Sequence, residues 1–434
     1  MKERKQIAAI VDYIKKGEKA RGDFSMGVEI EHFILHNEDF KTVSYYGKDG
    51  IGETLKALKE KSYDSTVEGD HVLGLNLPGV DISTEPGSQF EVAVDNHRDI
   101  AALDKKYQDF MTEVLDLFEE KNQRVVYLGY HPVTKIDEIT ILPKKRYDYM
   151  FNYFKTKGRM AHNMMKGTCA LQVVLDFSDE EDFKKKYRLA NILSPVFYSL
   201  FDNAYLFEGQ VYEEHNLREK IWENTDKDRS GIFELAFEED LSYEKYAEKI
   251  LHTPLIFTEE KGEQVYCGEK TLADYLDPDH PDEALIFHAL SIVFPDVRVK
   301  RYLELRMMDS VPYPYNFSCI ALIKGIFYNE ENLNSCFEET KNITYKDAMD
   351  AKFNMRKYGM KGSYKDMPIT QWGERILEKA EKGLPEEERK YLEPLKILMA
   401  ENKNPRDHFK EIYESQGLEK AIDFVTLTKE KFNA

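Results

Sequence analysis

Met26-Gly-Val-Glu-Ile-Glu-His-Phe-Ile-Leu35 is the stretch that decides how this chain is read. Apolar and polar residues alternate from Val28 to His32, the period of a half-buried strand. Val28, Ile30 and Ile34 then share one face, and Glu29, Glu31 and Phe33 share the other. Carboxylates at Glu29 and Glu31 therefore point the same way. Like charges so close repel, so one should hold a proton or a cation should sit between them. A solvated strand face would explain two glutamates taken alone. Other stretches of the chain argue against that explanation.

Val80-Asp-Ile-Ser-Thr-Glu85-Pro-Gly-Ser-Gln-Phe-Glu91-Val-Ala-Val94 reads as strand, tight turn, strand. Pro86 supplies a fixed φ and Gly87 a permissive one. Phe90, Val92 and Val94 make an apolar face, Glu91 projects from the other, and Glu85 sits at the turn. Pro295-Asp-Val-Arg-Val-Lys-Arg-Tyr-Leu-Glu-Leu-Arg306 alternates again and reads as one strand. Val297, Val299, Leu303 and Leu305 lie on one side; Arg298, Lys300, Tyr302, Glu304 and Arg306 lie on the other. Antiparallel sheets often bury one face and leave the other free. If these strands are neighbours, Glu29, Glu31, Glu85, Glu91 and Glu304 converge on one concave surface. An all-oxygen set without Cys/His spacing suits Mg²⁺ or Mn²⁺ rather than zinc. Arg229 and Arg306 at the rim would suit carboxylate or phosphate groups. Acids, divalent ions and arginines together are what phosphoryl transfer from a nucleotide requires. The sequence holds no Gly-x-x-x-x-Gly-Lys-Ser/Thr loop and no convincing Gly-x-Gly-x-x-Gly, which argues against a Walker-type or kinase-type site.

The 434 residues, 42% hydrophobic, can supply one large or two ordinary domains. A net charge of −19 disfavours a nucleic-acid partner. The 4 cysteines lack paired spacing, which suggests a reducing compartment. Met1-Lys-Glu-Arg-Lys-Gln opens without the apolar run of a signal peptide, and no segment approaches the ~20 apolar residues of a membrane span. The expectation is a cytoplasmic protein with no membrane or nucleic-acid partner, a monomer or homodimer. Helical spacing covers 3–16, 51–62, 97–122, 242–251 and 284–293. Ser178-Asp-Glu-Glu reads as an N-cap with acids, opening a helix to about Asn203. Val125–Leu128 reads as a short strand, 63–80 as loop or hairpin, 145–165 as a basic and aromatic stretch, and Arg218–Gly231 as a charged loop. From 317 onward the pattern is helical, and no flexible linker appears, so residues 1–434 are read as one domain. Cys169 opens the strand Thr168–Phe177 with no catalytic His spacing nearby, which favours a buried small hydrophobe over a nucleophile.

Five motifs in order carry a resemblance. They are Gly27-Val-Glu-Ile-Glu-His-Phe, Glu85-Pro-Gly-Ser-Gln-Phe-Glu91, Thr168-Cys-Ala-Leu-Gln-Val-Val-Leu-Asp-Phe-Ser, Ile221-Trp with Thr225-Asp-Lys-Asp-Arg-Ser-Gly231, and Phe294-Pro-Asp through Arg306. Over about residues 26 to 310 the chain resembles the glutamate–cysteine ligases of the plant and proteobacterial type. The resemblance implies an α+β fold of the glutamine-synthetase/guanido-kinase kind: a curved antiparallel sheet, a half-funnel, with helices packed outside. It implies that ATP phosphorylates the γ-carboxyl of L-glutamate and that the amine of L-cysteine attacks the acyl phosphate. The products would be γ-glutamylcysteine and ADP, the first step of glutathione biosynthesis. Carried over by position, Glu29, Glu31, Glu85, Glu91 and Glu304 should hold Mg²⁺ against the ATP phosphates. Arg306, with Glu304, should act at the transferring phosphoryl group. Arg229, with Arg218, should bind the α-carboxylate of glutamate.

The chain departs from the family pattern at three places. Gly167 stands where the family commonly has Arg, Val174 where it commonly has Asn, and Met307-Met308-Asp309-Ser310 where it commonly has Gly-Ala-Asp-Gly. These lie around the substrate pocket rather than the acidic cluster. They make a related carboxylate–amine ligase, joining glutamate to a different amine, the alternative. A relative that binds metal or nucleotide without turnover is the third reading.

Overall fold

Met26–His36 (β1) runs near the centre of a nine-stranded sheet in the computed structural model, which describes residues 1–62, 64–260 and 262–432. The other strands are Asp64–Glu68 (β2), His71–Leu77 (β3), Val80–Thr84 (β4), Phe90–His97 (β5), Gln123–Val126 (β6), Ala170–Leu175 (β7), Val297–Val299 (β8) and Leu303–Asp309 (β9). Their order is β8-β9-β7-β1-β5-β4-β3-β2, with β6 also pairing β1, and every pairing is antiparallel. Residue 63, at the head of the 63–80 stretch, lies outside the described residues.

The register follows the apolar alternation. Val28 sits opposite Val94 on one side and Val173 on the other; Ile30 sits opposite Val92 and Leu171. All six are buried. A slip of one residue would turn this row to solvent, so burial of one face sets the pairing. Helices Ile100–Glu119, Glu180–Leu200 and Tyr315–Phe327 pack on β5, β9 and β7 respectively. The Glu180–Leu200 helix is capped one residue beyond Ser178, by Asp179, whose side chain accepts the Asp182 N–H. Helices dominate after residue 315, as their spacing predicts, and Pro405–Gln416 and Leu418–Val425 cover a second apolar cluster around Phe33, Val126 and Cys169. Among the described residues no helix is long and apolar enough to cross a membrane.

Three local expectations are corrected. Pro295–Arg306 is not one strand but a hairpin, β8 and β9, turning at Lys300–Tyr302. Val297 faces Leu305 and Val299 faces Leu303 in it, so the alternation is the same for a hairpin as for a continuous strand. Arg218 lies not in a loop but in the helix Leu217–Glu223, and it is 2% exposed. Seven residues are too few for a 3.6-residue period to show. In the turn after β4 the left-handed residue is Ser88, at φ 72, not Gly87. Gly87 is needed for space: a Cβ there would come 2.2 Å from the Lys166 carbonyl oxygen.

Candidate active site

The polar face of the sheet floors a cavity of about 320 Å³. Register brings the glutamates together there. Glu31 is directly opposite Glu91, which is opposite Ser83; Glu29 is opposite Gln172; Glu304 is opposite Val174 and, across the hairpin, Arg298. Glu29, Glu31, Glu85 and Glu91 all line the cavity. Glu304 does not: it lies beneath the floor, 0% exposed.

The site divides electrostatically into two halves. In the acidic half, burial and then Glu85 push the Glu31 carboxyl up to about 7. Burial and then Glu304 raise Glu29, and burial with Glu29, Glu85 and Glu31 raises Glu91 well above the usual range. Few donors relieve this half. The Ala170 N–H donates to Glu31 Oε2 at 2.7 Å, Gln172 to Glu31 Oε1 at 3.2 Å, and the Ser83 hydroxyl to Glu91 Oε1 at 2.9 Å.

In the basic half, Arg298 Nε stands 2.5 Å, Lys300 Nζ 2.7 Å and Arg306 Nη1 3.5 Å from the Glu304 carboxylate. Burial works against the Glu304 charge, yet these three cations hold its carboxyl well below the ordinary range. Glu304 was expected among the metal ligands; the structure wraps it in cations instead. Arg306 also donates to Gln172 Oε1, and its backbone N–H is held by the Asp296 carbonyl at 2.9 Å. Burial and then Arg298 lower its guanidinium to about 10.

The two arginines expected at the substrate carboxylate are both occupied. Arg229 is 0% exposed; its Nε donates to Asp226 at 2.7 Å, Nη1 to the Ile292 carbonyl at 2.9 Å and Nη2 to the Tyr153 hydroxyl at 3.3 Å. Arg218 donates to the Met307 and Arg306 carbonyls at 3.2 and 3.0 Å, bracing β9 from behind. Neither lines the cavity.

Sequence reasoning missed the cations on the opposite wall. The helix Lys145–Phe154 brings Arg146 and Tyr147 to the cavity. Arg146 donates to the Tyr147 hydroxyl at 3.1 Å, its Nε is buried without a partner, and among the described residues no carboxylate pairs with it. Lys144, just before that helix, donates to the Thr84 carbonyl at 2.8 Å, and burial lowers its ammonium to about 8. The signal was the basic, aromatic run Lys144-Lys-Arg-Tyr147, which shows no strand alternation.

The carboxylate oxygens of the acidic half are the donor chemistry of a hard divalent cation. Among the described residues, no group of three or more His, Cys, Asp or Glu stands in an arrangement that could hold a metal as it is.

The three departures also fall near this site. Val174 is 7% exposed and sits between Gly27 and Glu304 in register, an apolar residue on the charged face. A Cβ at Gly167 would come 2.5 Å from the Tyr130 ring, so that ring takes the space of a side chain. Met307 and Met308 are fully buried. Asp309, at the end of β9, accepts the Asn203 N–H at 2.9 Å, and burial followed by the Asp202 charge pushes its carboxyl up to about 8. A carboxyl raised by folding contributes stability that is complete below its unfolded value of about 3.9 and lost as pH rises through the folded value. Asp309→Asn cannot ionise. It is expected to gain about 3 kcal/mol on the parent protein between pH 6 and pH 9, read by urea melts at both.

A sequence model of glutamate–cysteine ligase family 2 matches residues 25–423. The chain belongs to that family. Curated relatives matched over most of the chain carry the same family name. The chloroplastic glutamate–cysteine ligase of Brassica juncea is 30% identical over 383 residues, 86% of this chain and 74% of that protein. That of Medicago truncatula is 28% identical over 427 residues, 96% of this chain and 83% of its own length. Among solved structures, the glutamate–cysteine ligase of Francisella tularensis, in complex with AMP, superposes with a TM-score of 0.57 at 12% identity. The superposition covers 96% of this chain and 89% of that one. The ligase fold, an antiparallel sheet with helices outside, is therefore the one expected from the motifs.

Proposed function

We propose that this family member is an ATP-dependent ligase that joins the γ-carboxyl of L-glutamate to the amine of L-cysteine. The observation that supports this most is the two-sided cavity: a wall of crowded carboxylates with few donors beside a cluster of cations on one sheet. A nucleotide triphosphate with a divalent cation is complementary to both sides at once. Mg²⁺ or Mn²⁺ held by Glu29, Glu31, Glu85 and Glu91 would neutralise phosphate charge during transfer.

The remaining work falls to this chain's own groups. The γ-carboxylate oxygen of glutamate attacks the γ-phosphorus of ATP, and ADP leaves. Arg306, pinned by Gln172, Glu304 and the Asp296 carbonyl, is positioned to donate to the oxygens of the transferring phosphoryl group. The amine of the acceptor then attacks the acyl carbon, phosphate leaves, and the nitrogen loses a proton. The departing phosphate can carry that proton away, which leaves Glu31 and Glu91 to the cation. Arg146 is the guanidinium on the wall without a carboxylate partner, and we assign it the α-carboxylate of glutamate ahead of Arg229. Arg229 reads better as the pin that fixes Asp226 and Ile292.

Val174, the Tyr130-filled space at Gly167 and the two buried methionines favour one competing reading, glutamate ligation to an amine other than cysteine. ADP release with ATP, Mg²⁺ and glutamate should depend on added amine and be fastest with cysteine. A clear preference for a non-thiol amine would replace the first reading with the second. Nucleotide binding with no ADP release under any amine would overturn both.

A further inference from the structure

Behind Trp222 lies a cavity of about 770 Å³ that shares no lining residue with the active-site cavity. The two are separated by an aromatic pair: the Trp222 ring meets the Phe294 ring at 5.9 Å, and Phe294 lines the active-site side. The floor of the larger cavity is Glu219, 1% exposed. Its carboxylate oxygens make no close hydrogen bond; each is ion-paired at 3.5 Å, one to Lys352 Nζ and the other to Arg356 Nε. Trp222 Nε1 and Ser230 Oγ, also on this lining, are buried without partners. Buried polar atoms are nearly always bonded, so an unfilled set around one cavity marks a place for a ligand. On another wall is Lys249, half-buried, its ammonium 5.1 Å above the Phe233 ring. Among the described residues it has no ion-pair partner.

We infer that this cavity is a second, non-catalytic site for a free α-amino acid, its ammonium on Glu219 and its carboxylate toward Lys249. The volume falls within the ordinary range for small-molecule sites. Phe233, Tyr345 and Met349 offer an apolar lining to a side chain. Phosphorylated ligands are disfavoured, because Glu219, Glu223, Asp226, Glu234, Glu238 and Glu248 outnumber the four lysines around the cavity. The site is wired to the catalytic one. Arg218, the neighbour of Glu219, holds the Arg306 and Met307 carbonyls, and Asp226 on the same lining holds Arg229.

The chain has 2 tryptophans, and Trp372 lies in a different cavity, so Trp372→Phe leaves Trp222 as sole reporter. Fluorescence of that full-length variant is titrated with each of the twenty standard L-amino acids, with acetate and methylamine as single-charge controls, and without nucleotide. At least one amino acid should give a saturable change that neither control gives. Glu219→Gln and Lys249→Met should each weaken it about tenfold or more. Arg146→Gln, which removes the active-site group assigned to an amino-acid carboxylate, should leave it within about twofold. Loss of the signal in Arg146→Gln would assign it to the active site and overturn the proposal. So would the absence of saturable binding by fluorescence and by calorimetry on the unmutated protein. Lys249 is half-exposed, so its variant remains informative if Glu219→Gln fails to fold. Because this binding needs no nucleotide, its outcome is independent of whether the ligation reading holds.

Discussion

Arg306→Ala is expected to lower amine-dependent ADP release by about a thousandfold or more, the scale on which arginines at transferring phosphoryl groups act. Arg306 stands where the two halves of the site meet: it touches Glu304 and Gln172, and its charge acts on Glu29 and Glu31. Its loss should fall on kcat more than on the KM for glutamate, because the interaction strengthens as charge develops in transfer. Arg306→Lys should recover part of the rate, since a point charge replaces a planar fork. The fold should survive, because Glu304 keeps Arg298 and Lys300. Single-turnover measurement of ADP formation, alongside a melting curve, separates the two effects. A rate within about threefold of the parent would remove Arg306 from the chemistry.

Glu304→Gln carries the second large expectation, this time on stability. The substitution keeps shape and removes the charge that compensates three buried cations. Breaking a buried ion pair from one side typically costs about 3–5 kcal/mol, and here about 3 kcal/mol or more is expected in urea unfolding at pH 7. The pH dependence follows from the lowered carboxyl of Glu304. Its contribution is present above the unfolded glutamate value of about 4.3 and is lost as pH falls below it toward the folded value. Parent and variant should therefore converge in stability as pH drops below about 4. Equal stabilities at pH 7 would mean that the cations are satisfied by Glu29 or solvent instead. The variant should also ease Glu29, because Glu304 is the largest charge raising it.

Much of this site was legible because a strand reports its faces directly. The alternation around Val28, Val92, Val173 and Leu305 identified which residues enter the core, and by exclusion put Glu29, Glu31, Glu91 and Glu304 on the other face. Neighbours are what alternation does not report. It could not say that Glu31 would oppose Glu91 while Glu304 would oppose Arg298, so it grouped five glutamates where the fold separates four from one. It was equally blind to the turn at Lys300–Tyr302, since a hairpin keeps the same inside–outside sequence as a straight strand. Arg146 was lost for a different reason. It reaches the cavity from a helix packed over the sheet, and only tertiary packing places it there. Arg218 and Arg229 looked free because charged residues usually are, but backbone carbonyls and Asp226 claim them.

The chain encodes its two electrostatic halves at opposite times. Every member of the acidic wall lies before residue 92, whereas the cations around Glu304 come from the β8–β9 hairpin. As the polypeptide leaves the ribosome, β1, β4 and β5 can pair long before the hairpin's cations are made. A nascent chain halted ahead of β8 would present a sheet face of mutually repelling carboxylates answered only by Lys144 and Arg146, with β7 as its open edge. Completion of the hairpin then pairs that edge and brings in Arg298, Lys300 and Arg306 in a single step, which ties assembly of the sheet to assembly of the site.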